Sequence, residues 1–154
     1  MAGFTNRNRL NIRLGNMAKT VRPVVSRSLK RGALRIENTA VEGIIDPPKT
    51  GRIYPSKHRK GATHQASAPG EFPAADSGRL HQSITTVTVE DGDHAIVVET
   101  GANTPYAEPL ELGTSKMEPR PFMTPAFRER REEIKNDVTR AVAQAIRRAA
   151  RGGA

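Results

Sequence analysis

The sequence predicts an α+β domain in which two long amphipathic helices flank a small antiparallel sheet, with a long extended loop after the first helix. Three observations carry that prediction. Apolar residues recur at three-, four- or seven-residue steps from Val21 to Ile45 and again from Phe127 to Ala149, the period of a helix with one buried face. Between them lie two runs rich in Ile, Val and Thr, Ser83–Glu90 and His94–Thr100, joined by the turn Asp91-Gly92-Asp93, as in a hairpin. At 154 residues, the chain is long enough for one domain around one core.

Residues 1–19 are polar, rich in Arg and Asn and without a period at the start, which reads as a flexible basic arm able to order on assembly. The single domain spans 20–149. Its first helix carries the stripe Val21, Val25, Leu29, Ile36, Ala40 and Ile44, and Pro23 fits the first turn, where a missing amide costs nothing. Arg27, Lys30, Arg31 and Arg35 occupy the opposite face, either as a solvated surface or as a basic rim turned to a partner ring or DNA. Asp46-Pro47-Pro48 stops the helix. The loop 47–75 follows, within a Pro/Gly/Ser/Lys-rich segment reaching residue 78; Gly51-Arg52-Ile53-Tyr54 reads as a short strand and Lys57-His58-Arg59-Lys60-Gly61 as a basic, flexible tip. Asp76-Ser77-Gly78-Arg79-Leu80 opens a helical turn, with Asp76 or Ser77 as cap. Thr124-Pro125 is an N-cap followed by Pro at the first helical position, and the stripe Phe127, Ile134, Val138, Val142, Ala145 and Ala149 continues to about Arg148. Arg147, Arg148 and Arg151 complement that helix's dipole, and 150–154 reads as a disordered tail.

Composition narrows the function. The apolar fraction is 36% and the aromatic fraction 4%, with no Trp, so a lone subunit has a thin core and oligomerisation is the natural remedy. The absence of cysteine excludes disulfides, thiolate zinc sites and thiol catalysis. No apolar run approaches the roughly 20 residues that span a bilayer, and the N-terminus lacks the apolar core of a signal peptide, so a soluble protein without membrane contact is expected. The net charge of +9 is unevenly spread: residues 1–40 hold nine Lys or Arg against Glu37 alone, whereas residues 83–126 hold two against seven acids. Such segregation suits a subunit whose acidic face meets a neighbour's basic face in a head-to-tail ring. A basic nucleic-acid-binding accessory protein is the alternative, against which the acidic middle and the scarcity of stacking aromatics weigh.

No catalytic constellation emerges. Ser83, His81 and Asp76 lack a nucleophile elbow, and no Walker loop, HExxH or dinucleotide glycine pattern occurs. His58 and His64 have no third ligand at suitable spacing, and Glu90, Asp91 and Asp93 sit on a turn where solvated acids are usual. The stretch Tyr106-Ala107-Glu108-Pro109-Leu110-Glu111-Leu112-Gly113-Thr114-Ser115, followed by Pro119-Arg120-Pro121-Phe122-Met123-Thr124-Pro125-Ala126, is poor in catalytic groups and punctuated by Pro and Gly. It reads as a rigid docking loop.

Taken in order, Gly51–Tyr54, His64–Pro73, Asp76–Leu80 with Ser83-Ile84, Tyr106-Ala107, Leu110-Glu111, Gly113–Ser115 and Pro119–Met123 with Pro125-Ala126 resemble the head-to-tail joining (neck, tail-completion) proteins of long-tailed phages and prophages. The resemblance covers roughly residues 20–148. Two departures stand out: Ser77 replaces a common Thr, keeping the hydroxyl, and Pro109 falls where the family often has an aromatic or aliphatic residue, arguing against a continuous helix there. The resemblance implies a tail-terminator-like fold, no enzymatic activity and no cofactor. It also implies assembly with copies of itself as a ring, a hexamer, in the virion neck between the capsid connector and the tail tube. Related proteins occur in gene transfer agents. On that footing Tyr106, Leu110, Glu111, Arg120, Phe122 and Met123 are interface candidates. Phe122 and Met123 have the alternative of filling the subunit's own core, and Glu111, otherwise solvated, could pair with an Arg of the adjacent subunit. Arg52, Lys57, Arg59 and Lys60 would face the lumen and touch passing DNA.

Overall fold

In a computed structural model, which describes residues 6–13, 19–46, 48–92 and 94–151, the elements run β1 (Asn6–Arg13), α1 (Arg22–Ile45), β2 (Ile53–Pro55), β3 (Thr63–Gln65), α2 (Arg79–Gln82), β4 (Ile84–Asp91), β5 (Ala95–Ala102), α3 (Ala107–Leu112) and α4 (Met123–Arg151). The class is α+β, with antiparallel pairing throughout. One sheet has the order β1-β5-β4, and β2 and β3 form a separate two-stranded hairpin.

β5 is the central strand. Its pairing with β4 is the expected hairpin, extended past the expected ends, with a bulge between Thr88 and Glu90; of its turn, Asp93 lies outside the described residues. The other edge of β5 is taken by β1, from Asn6 opposite Ala102 to Arg13 opposite Ala95. This corrects the expectation of a flexible arm for residues 6–13. The amides and carbonyls along β5's second edge need partners, and a segment too short to show a persuasive period supplies them. The rest of the expected arm within 1–5 and 14–18 lies outside the described residues, as do 152–154 of the expected tail; Ala150 and Arg151 belong to α4.

Ile96 and Val98 of β5 pack with Val25, Leu29 and Ala33 of α1, and Val138 and Val142 of α4 join the same cluster. The long helices therefore form a pair on one face of the sheet instead of one on each side. They run antiparallel: Arg35 meets Glu133 and Asp137, while Thr39 meets Arg130. Gly32 permits their close approach, since a Cβ there would lie 2.8 Å from the Ile134 side chain. A second cluster joins Ile36, Ala40 and Ile44 of α1 to Ile84, Ala102, Ala107, Phe122, Met123 and Ile134.

Candidate functional site

The loop segments interlock at the end of the molecule where β5 finishes. Gly51 N donates to Ala66 O (3.0 Å), Gly70 N to Pro119 O (2.9 Å) and Arg120 N to Leu110 O (2.7 Å). The Arg120 side chain adds Nε to Ser67 O at 3.0 Å, and Glu71 binds Thr50 Oγ1 (2.5 Å) and the amide of Ala68 (2.8 Å). Those bonds, the Thr50 hydroxyl foremost, hold the Glu71 carboxyl below its ordinary range. Phe72 lies over α1 so closely that a Cβ on Gly43 would come within 2.3 Å of its ring. The long segment is thus tied down at both ends, with β2 and β3 projecting between.

Glu111 departs from expectation. It is 4% exposed, and its carboxylate accepts the amides of Phe122 (2.8 Å), Met123 (3.0 Å) and Thr124 (2.7 Å). It therefore caps α4 in place of Thr124, its carboxylate turned into the subunit rather than solvated. An anion at the first amides of a helix satisfies orphan donors and complements the dipole at once. Phe122 and Met123 are fully buried in the subunit's own core, the second of their two readings. Pro109, expected to interrupt a helix, sits in the first turn of α3, where its absent N–H would have had no partner.

Tyr106, Leu110 and Arg120 come together along a cavity of about 360 Å3, with His64, Ser67, Asp76, Ser77, His81 and Met117 among its other lining residues. Tyr106 is 41% exposed, and Leu112, absent from the expected set, is 69% exposed. Arg52, Lys57, Arg59 and Lys60 are exposed on the β2–β3 hairpin and do not line this cavity. Asp76 does not cap α2. It accepts from Ser56 Oγ (3.0 Å) and lies 3.7 Å from His58 Nε2 and 4.0 Å from His64 Nδ1. α2 instead starts after Gly78, whose φ of 80° suits glycine, with only a long Arg79 N to Ser77 Oγ bond of 3.4 Å. Ser83 Oγ donates to Leu80 O (2.7 Å), and no group of three or more His, Asp or Glu is placed to hold a metal ion among the described residues. No described helix is long and apolar enough to cross a membrane.

No protein-family model matches the chain, and no curated protein or solved structure matches it at a significant level.

A second region lies at the opposite end of β5. Lys19, Arg22, Ser26, Arg27, Lys30, Arg31 and Asp91 line a groove of about 600 Å3. Asp91 organises it: Oδ2 accepts from Ser26 Oγ (2.7 Å) and Lys30 Nζ (3.2 Å), and Arg22 binds both Oδ1 (3.3 Å) and the Asp91 carbonyl. The Ser26 hydroxyl, then Lys30 and Arg22, hold this carboxyl below its ordinary range. The neighbouring groove of about 360 Å3 between α1 and α4 is lined by Arg31, Arg35 and Arg140 around Asp137, whose carboxyl the Arg35 hydrogen bond lowers. The sequence places Arg27, Lys30, Arg31 and Arg35 on one face of α1 but does not show their join to α4. The signal that could have found it is that α1 has no acid before Glu37 and α4 none after Asp137.

Proposed function

We propose that this chain is a structural virion subunit that assembles with copies of itself into a ring of about six at the head–tail junction of a long-tailed phage or phage-like particle, a gene transfer agent included. It acts there as a tail-completion or tail-terminator protein with a tail-terminator-like fold, not as an enzyme. Its partners are the tail-tube protein and the head-completion or connector proteins, and it is assembled in the host bacterial cytoplasm.

One observation carries the reading: the separate segments that resemble neck proteins, spread over residues 51–126, spend their polar groups on each other. Glu111 holds the start of α4, Arg120 holds Ser67 and Gly70 holds Pro119. Polar groups committed to locking loops leave a rigid scaffold. That scaffold exposes Tyr106 and Leu112, and beside it Ile53 and Tyr54, while the edge strand β4 exposes Val87 and Val89. Exposed apolar residues on fixed elements, together with a strand edge unpaired among the described residues, support association with other copies.

The test is mass by light scattering with negative-stain images, alone and after adding tail-tube or connector protein. Rings of about six subunits under either condition are expected. A chain that stays monomeric with both partners present would overturn the assignment.

A further inference from the structure

We propose that the basic end formed by the N-terminal half of α1 and the C-terminal half of α4 binds the phosphate backbone of double-stranded DNA without reading its sequence. The antiparallel helix pair brings together charges more than 100 residues apart. Lys19, Arg22, Arg27, Lys30, Arg31 and Arg35 line the two grooves with Arg140 of α4, and Arg147, Arg148 and Arg151 follow on the later turns of that helix. Asp91 and Asp137 are the carboxylates lining the two grooves between them. Both are engaged: Asp91 by Arg22 and Lys30, Asp137 by Arg35 (2.5 Å) and Arg140 (2.5 Å).

Lys19, Arg27, Arg31, Arg147 and Arg148 pair with no carboxylate among the described residues. Arg27 and Arg31 follow one another a helical turn, about 5.4 Å, apart. A row of guanidiniums with no carboxylate partner among the described residues is suited to a row of phosphates, which it contacts bidentately while displacing condensed counterions. No aromatic side chain lines either groove, so nothing there stacks on a splayed base; contact is with the backbone of a duplex.

An acidic face of a second copy is the weaker fit. In α3 and its following loop Glu111 is buried, and the exposed Glu108 and Glu118 share their stretch of chain with Lys116 and Arg120, so the segment carries little net negative charge outward. The helix end also displaces the β2–β3 hairpin as the DNA-contacting element. That hairpin holds Lys57, Arg59 and Lys60 in one short tip, whereas the helix end spreads its cations over two grooves. The inference stands whether or not the subunit assembles, because α1 and α4 belong to one protomer.

Two triple variants with the same net charge test it: Arg27→Gln/Arg31→Gln/Arg148→Gln on the helices and Lys57→Gln/Arg59→Gln/Lys60→Gln on the hairpin, each three charges below the native +9. Binding of a labelled 20-base-pair duplex is followed by anisotropy through a salt series, with circular dichroism to check folding and light scattering to read assembly separately. The wild type should bind with a steep salt dependence. The helix variant should bind at least about tenfold more weakly, with a log–log slope shallower by about 2 to 3, roughly 0.9 for each phosphate no longer neutralised, while the hairpin variant stays within about twofold. Equal losses in both variants, a larger loss in the hairpin variant, or absence of salt-dependent binding by the wild type would overturn the proposal. So would tighter binding of a poly-glutamate peptide than of the duplex at the helix end, which would mark an acidic protein as the partner.

Discussion

Glu111 and Met123 are joined by a 3.0 Å hydrogen bond from the Met123 amide to the Glu111 carboxylate, across the turn that connects α3 to α4. With the flanking amides of Phe122 and Thr124 on the same carboxylate, three donors at the start of a 29-residue helix depend on one side chain from another element. The bond fixes the direction in which α4 leaves the loop, and hence how Phe122 and Met123 enter the core.

Glu111→Ala should therefore lower stability by about 2 to 3 kcal/mol, since it strands buried amides as well as losing their bonds. For a chain of this size that is a fall in Tm of about 5 to 10 °C by circular dichroism. Glu111→Gln, which keeps one acceptor oxygen, should lie between. A melting point for the alanine variant within a degree of wild type would contradict the capping role.

Gly43→Ala should destabilise, although alanine in a helix interior ordinarily gains about 1 kcal/mol over glycine. The added Cβ meets the Phe72 ring at 2.3 Å, an overlap that costs about 1 to 3 kcal/mol in a packed interior. Pairing it with Phe72→Leu should recover part of the loss in urea unfolding; no recovery would place the strain elsewhere.

The Asp91 clamp predicts a pH dependence. Its carboxyl is lowered in the folded state, first by Ser26 and then by Lys30 and Arg22, so the native state favours the ionised form. The stability this contributes is present above the ordinary aspartate range and is lost as pH falls through the lowered folded value. Asp91→Asn should then cost about 1 kcal/mol at pH 7. The gap between the two urea midpoints should close progressively below about pH 4. A gap constant from pH 7 to pH 3 would remove Asp91 from the acid response.

Leu112→Glu probes assembly apart from folding. Leu112 is 69% exposed, so the monomer's Tm should move by no more than about 1 °C, as surface changes usually do. The mass by light scattering should shift from ring to monomer if the α3 rim lies between subunits. Intact rings would put the interface on another surface, such as the edge of β4.

The two long helices, the β4–β5 hairpin and the α+β class are legible in the amino-acid order, because these rest on local rules: a 3.6-residue stripe beginning near Val21 and Phe127, β-rich runs around Asp91-Gly92, and prolines at helix starts. So is the short strand at Ile53-Tyr54. That Asn6–Arg13 is a strand emerges from the folded chain alone, since its partner edge on β5 lies about 90 residues away and backbone pairing leaves little trace in side-chain period. The same holds for both helices sharing one sheet face, for Glu111 turning inward to cap α4, and for the charges of α1 and α4 merging into one basic end. Those outcomes follow from burial and hydrogen-bond satisfaction between segments distant in sequence, which no local pattern encodes.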